Sequence, residues 1–126
     1  MFISPYSFLA YKMILAGVYK NPDESMVLAK KMTLLYPEDS HIQSLYGQIL
    51  LGQGFYDKAE KRLKIAAKLD PTMKENYLNL IAIYQIQNRP KEAIQACDQL
   101  LEYHPSFIDA YVLKTKLYVR TSENQK

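Results

Sequence analysis

The chain has 126 residues, 48% of them hydrophobic and 23% charged, with a formal net charge of +3 and a single cysteine. A chain of this size suits one domain with a modest core, and its composition excludes extensive disorder except at the very end. So small a charge does not by itself mark a nucleic-acid binder, and lone Cys97 excludes an internal disulfide or a cysteine metal cluster and fits a reducing compartment.

The opening MFISPYSFLAYKMILAGVYK is apolar but has no basic leading region, and Lys12 interrupts its run. The expectation is a cytoplasmic protein without membrane contact. Apolar spacings of three and four then predict a series of amphipathic helices. The first spans about Pro5 to Tyr19. Asn21 reads as an N-cap before Pro22, and a second helix follows near Asp23 to Tyr36.

A third helix is expected over Ser40 to Leu51, broken at GQG, with Gly52 in the left-handed conformation that ends it. Tyr56 to Leu69 forms the fourth, stopped by Pro71, whose ring cannot continue a helix. The fifth is placed near Thr72 to Gln87 and turns at NRP. Pro90 then opens the sixth as its first residue, and this helix continues to about Tyr103. One more helix, about 106–121, precedes a polar tail at 122–126.

These helices fall into a repeat. Pro37, Pro71 and Pro105 stand 34 residues apart. Gln43, Tyr46, Gly47, Leu50, Ala59, Leu63 and Ala66 recur at the same interval as Tyr77, Leu80, Ile81, Tyr84, Ala93, Cys97 and Leu100. The units are about 6–37, 40–71 and 74–105. Small residues such as Gly47, Ala59, Ala66 and Ala93 let helix axes approach, while Leu63 and Tyr84 fill the space between neighbouring pairs. A lone pair would expose its apolar side, so such units stack within one domain over 1–126, with a polar outer face at the end.

With a period of 34, this pattern of a large residue, Leu-Gly, Tyr, Ala, an aromatic and Pro resembles the tetratricopeptide repeat. The second unit matches best, through Gly47, Ala59, Ala66 and Pro71; the third has Ile81 for the glycine. In the first, bulky Met13 occupies the small position and would spread its helices or need repacking, with Ser25 and Ala29 in the next two. Leu9, Gln43, Tyr77 and Tyr111 fill the slot that often holds Trp. The resemblance implies an all-α solenoid of three antiparallel helix pairs, a right-handed superhelix closed by a capping helix. Lys114 and Thr115 replace Leu-Gly in that last helix, which suits a solvent-covering role.

The resemblance also implies a non-enzymatic module, an adaptor, scaffold or chaperone, that binds a protein or peptide segment in a concave groove. The positions lining it here are Ser7, Tyr11, Ile14, Ser44, Gln48, Leu78, Asn79, Ala82, Gln85, Val112 and Lys116. Relatives that clamp a terminal carboxylate use basic and amide side chains, where this chain has Ala10, Ile14, Leu45, Glu75 and Asn79. Only the last agrees, and Glu75 would repel the ligand.

Other functions find less in the residues. His41 and His104 are far apart, and no Cys-His, Ser-His-Asp or metal-ligand spacing occurs, so neither enzyme nor cofactor is expected. His104 reads as a residue at a helix end, Cys97 as a buried thiol, and Asp57 with Glu60 as solvated charges. Lys58, Lys61, Arg62, Lys64 and Lys68 read as a solvated convex face, opposite a packed stripe of Ala59, Leu63, Ala66 and Leu69. Of the 11 tyrosines, Tyr46, Tyr77, Tyr84, Tyr111 and Tyr118 occupy packing positions, which leaves little for base stacking. Two alternatives stay open: a structural repeat protein that assembles with itself, and nucleic-acid binding through the basic stripe.

Overall fold

Helix boundaries set by prolines and polar caps recur through the computed structural model, which describes residues 9, 10, 12–14, 17 and 21–124. Described residues between 9 and 17 are helical. They are followed by α1 (Pro22–Leu35), α2 (Ser40–Gly52), α3 (Tyr56–Leu69), α4 (Lys74–Ile86), α5 (Pro90–Tyr103) and α6 (Ile108–Asn124). No described residue is in a strand. Antiparallel neighbours joined by short turns pack α1 on α2 and α2 on α3, then α4 on α5 and α5 on α6. The chain forms two compact units, Met1–Leu69 and Asp70–Lys126. At the start of the second unit, Asp70 Oδ1 accepts from the Thr72 amide at 3.1 Å and from its hydroxyl at 2.6 Å.

In the first unit, Asn21 caps α1 as expected. Its Oδ1 accepts from the Glu24 amide at 3.2 Å while its Nδ2 donates to the Glu24 carboxylate at 3.2 Å, and Pro22 takes the first turn. Asp39 caps α2 by accepting from the Ile42 amide at 3.1 Å. The end of α2 differs from expectation. Gly52 remains helical, and the left-handed residue is Gly54, with φ at 82°. The chain closes there with Phe55 N–H donating to Leu50 O at 2.9 Å. The second unit repeats this turn 34 residues on: Asn88 has φ at 55°, and Arg89 N–H donates to Tyr84 O at 2.7 Å. Asparagine tolerates that conformation better than most side chains.

The core of the α2–α3 pair depends on Gly47. A Cβ there would stand 2.7 Å from Leu63 Cγ and 2.8 Å from Leu63 Cδ2. The sequence compensates where glycine is lost. Ile81, in the third pair, corresponds to Gly47, and Cys97 corresponds to Leu63; in the first, Met13 and Ala29 take these places. All six are buried. A large residue on one helix is matched by a small one on the other, so the summed volume stays near constant. Of the two outcomes expected for bulk at Met13, spread helices or repacking, the small Ala29 at the facing repeat position fits repacking.

At two of the four positions in the slot that often holds Trp in relatives, the side chain makes a hydrogen bond. Gln43 Nε2 donates to Pro37 O at 2.9 Å, and Tyr111 OH donates to Pro105 O at 2.9 Å, each tying a helix to the proline before it. His104 is the C-cap of α5 and lies with Nε2 2.7 Å from Thr72 O, joining the end of one helix to the turn before α4.

Some expectations are revised. Leu69 stands exposed at the last position of α3, beyond the turn that buries Ala66. Glu60 is half-buried and pairs with Lys64 at 2.8 Å instead of standing solvated. Helix α6 runs past residue 121 to Asn124, since neither Pro nor Gly interrupts it. It packs through Ala110 and Leu117, whereas Tyr111 and Tyr118 are exposed, not packed. Lys114 Nζ pairs with Asp98 Oδ1 at 2.6 Å, consistent with a solvent-facing cap.

Replacing Gly47 by Leu should cost about 1–3 kcal/mol or more in urea unfolding, because Leu63 cannot move without disturbing α3. Adding Leu63→Ala to that variant should recover part of the loss; a wild-type midpoint for Gly47→Leu alone would contradict this packing. A second expectation concerns Cys97, whose thiol is pushed from 9.0 up to about 11 by burial and then by Asp98, with Lys114 opposing. The folded state keeps this proton longer than the unfolded chain, so its stabilisation is complete below about pH 9 and is lost as pH rises toward 11. Tyr77, also raised by burial, adds to the alkaline loss. Stability should therefore fall over that window and fall less steeply in Cys97→Ala; equal slopes would overturn the assignment.

Candidate functional site

Of the positions expected to line a binding face, Ser7 and Tyr11 lie outside the described residues. The others divide between the two units. In the first, Ile14 and Gln48 are exposed and border a cleft of about 640 Å³. Ser44 is buried and acts through its neighbour, accepting from Gln48 Nε2 at 3.2 Å. In the second, Leu78, Asn79, Ala82 and Gln85 are half-buried along one side of α4, with Val112 and Lys116 exposed on α6. This α4 spacing places the four on one helical face.

The cleft contains residues that sequence reasoning did not place there: Gly17, Pro22, Ser25, Ile49 and Gly52 among them. Its walls come from the N-terminal helical segment, the start of α1 and the second half of α2. Gln53 Nε2 donates to Pro22 O at 3.2 Å, linking the end of α2 to the beginning of α1. No described residue lining it is charged. Ser25 Oγ is buried and finds no hydrogen-bond partner among the described residues. A comparison of the repeats could have revealed this place, since Gly17 and Ser25 correspond to Leu51 and Ala59.

The basic run on α3 is largely engaged within its own unit. Lys58 Nζ lies 5.5 Å from the Phe55 ring centre, and Arg62 lies 5.1 Å from that of Tyr46 while donating to Gln43 Oε1 at 3.4 Å. Lys64 pairs with Glu60. These contacts occupy side chains that a phosphate backbone would otherwise use. On α6, Asp98 raises the affinity of Lys114 for its proton through their hydrogen bond. Among the described residues no group of three or more His, Cys, Asp and Glu is placed to hold a metal, and no described helix is long and apolar enough to cross a membrane.

Comparison with known proteins follows this geometry. The tetratricopeptide repeat family model matches residues 50–117, more than half of the chain. A co-chaperone of Cryptococcus neoformans var. grubii that contains tetratricopeptide repeats and a J domain, DNJ1, is 29% identical over 77 residues. That match covers 61% of this chain and 15% of the relative, so the chain spans a small part of its length. The crystal structure of MamA superposes with a TM-score of 0.85 at 19% identity, covering 94% of this chain and 69% of that one. The first tetratricopeptide domain of Spaghetti (RPAP3), bound to the HSP90 peptide SRMEEVD, superposes with a TM-score of 0.80 at 16% identity, covering 93% of this chain and 95% of that one. The fold is thus an all-α solenoid of helix pairs, and the chain belongs to the tetratricopeptide repeat family.

Proposed function

We propose that this chain is a non-enzymatic interaction module that binds a protein segment, in the manner of an adaptor, scaffold or chaperone. The carrying observation is the cleft in the first unit, bordered by Ile14 and Gln48, whose described lining residues carry no charge. The half-buried face of Leu78, Asn79, Ala82 and Gln85 in the second unit supports the same reading. Relatives add weight: one is a co-chaperone, and one similar domain holds an HSP90 peptide. A cytoplasmic location belongs to the same proposal.

The ligand expected here differs from an acidic C-terminal tail. Ile14 and Leu45 border the cleft, whose described lining carries no charge, and Glu75 is exposed at the start of α4, where it repels a carboxylate. A second reading, self-association, has its own observation. Ile108, Tyr111, Val112, Tyr118 and Val119 are exposed on α6, with Ile108 at 72%. Large apolar side chains gathered on one element often mark an interface.

The test uses the purified protein as bait in a lysate of its source, beside the double variant Gln48→Ala with Asn79→Ala. A partner is expected that the variant loses by about tenfold or more, with an unchanged melting curve. A partner held equally by both would contradict this placement. Recovery of the protein alone, with a mass in sedimentation that rises with concentration and falls back in Val119→Lys, would favour self-association.

A further inference from the structure

The 34-residue correspondence explains why the cleft exists. Gly17 stands where the second pair has Leu51 and the third has Gln85, so a side chain present twice later in the chain is missing here. Ser25 stands where those pairs have Ala59 and Ala93, both fully buried. A Cβ on Gly17 would come within 3.9 Å of Ser25 Oγ, so the missing side chain and the hydroxyl share one space. Packing alone does not account for the exchange. Ser25 is 1% exposed and its Oγ lacks a partner among the described residues, a state that alanine would avoid.

An unpartnered buried hydroxyl on a residue that lines the cleft is complementary to a polar atom that arrives with a ligand. Among the described residues the rest of the lining, including Met13, Leu45 and Ile49, carries no charge. A carboxylate or ammonium entering it would lose water without gaining a counter-charge. The volume of about 640 Å³ lies in the range of ligand pockets and admits a large side chain together with adjoining backbone. From these observations we infer that the cleft recognises one large uncharged apolar residue of a bound protein segment, a peptide group beside it taking the hydrogen bond of Ser25 Oγ. This rests on the reading of the chain as a binder of protein segments and specifies the chemistry of one residue of its ligand.

The probes are N-acetyl-leucinamide, N-acetyl-phenylalaninamide and N-acetyl-glutamic acid amide, titrated into the full chain while the Met13 methyl and Gly52 amide are followed by NMR. The first two should shift both signals with affinity on the order of millimolar, and the acidic probe should not. Gly17→Leu places a side chain in the cleft with no contact at its Cβ closer than 3.9 Å among the described residues. It should keep the fold and weaken the apolar probes by at least about tenfold. Ser25→Ala should weaken the same amide probes severalfold while leaving toluene, which has no polar atom, unaffected. Absence of any shift, equal affinity in folded Gly17→Leu, or equal amide binding in Ser25→Ala would each overturn the inference. A lysate partner lost in the Gln48→Ala and Asn79→Ala variant but held fully by Gly17→Leu would overturn it too, and would leave the interaction-module reading standing.

Discussion

The approach of α2 to α3 at Gly47 is the contact on which the rest of the repeat depends. Leu63 fills the space that a Cβ would need, so the two axes come close and the flanking positions Ala59 and Ala66 are driven to full burial. The constraint is on the sum of two side chains and not on either one. Met13 with Ala29, Gly47 with Leu63 and Ile81 with Cys97 satisfy it in three ways at one pair of repeat positions. A family pattern that demands glycine sees only the second of these. Close packing tolerates the others because the volume is conserved across the contact.

Pairing in this way consumes one face of each helix and leaves another open. Among the cations of α3, Lys58, Arg62 and Lys64 contact Phe55, Tyr46 with Gln43, and Glu60. The first unit also holds a cleft with a buried hydroxyl and no charge among its described lining residues, and the second a mixed face along α4. Such surfaces discriminate by shape and by one or two hydrogen bonds, with little long-range attraction to steer the encounter. A neutral segment with an apolar anchor is the partner proposed for them.

Much of the fold was legible because punctuation residues act locally. Prolines at 37, 71 and 105 gave the period, and the bounds of α3 and α5 match the apolar spacing and Pro90 residue for residue. The turn after α2 was harder: Gly52 and Gly54 are chemically equal, and only the hydrogen bond from Phe55 to Leu50 decides which is left-handed. Tyr111 and Tyr118 keep the repeat's spacing, but burial of such residues requires a helix over them, which spacing cannot report. The site was legible only as a face. Ile14 and Gln48 were named from position, whereas the cleft beside them comes from a side chain that is absent at Gly17, and a missing atom leaves no hydrophobic signal. The pairing of Glu60 with Lys64, one helical turn apart, depended on burial that the charge pattern did not show.

The claim that this chain reads an uncharged apolar residue in a protein segment is tested most directly by selecting ligands from a random peptide library displayed on phage, with the full chain immobilised. The account expects enriched sequences that share one large aliphatic or aromatic residue within a neutral stretch, at internal as well as terminal positions. Enrichment of acidic C-terminal tails, or no enrichment over a blank surface, would contradict it.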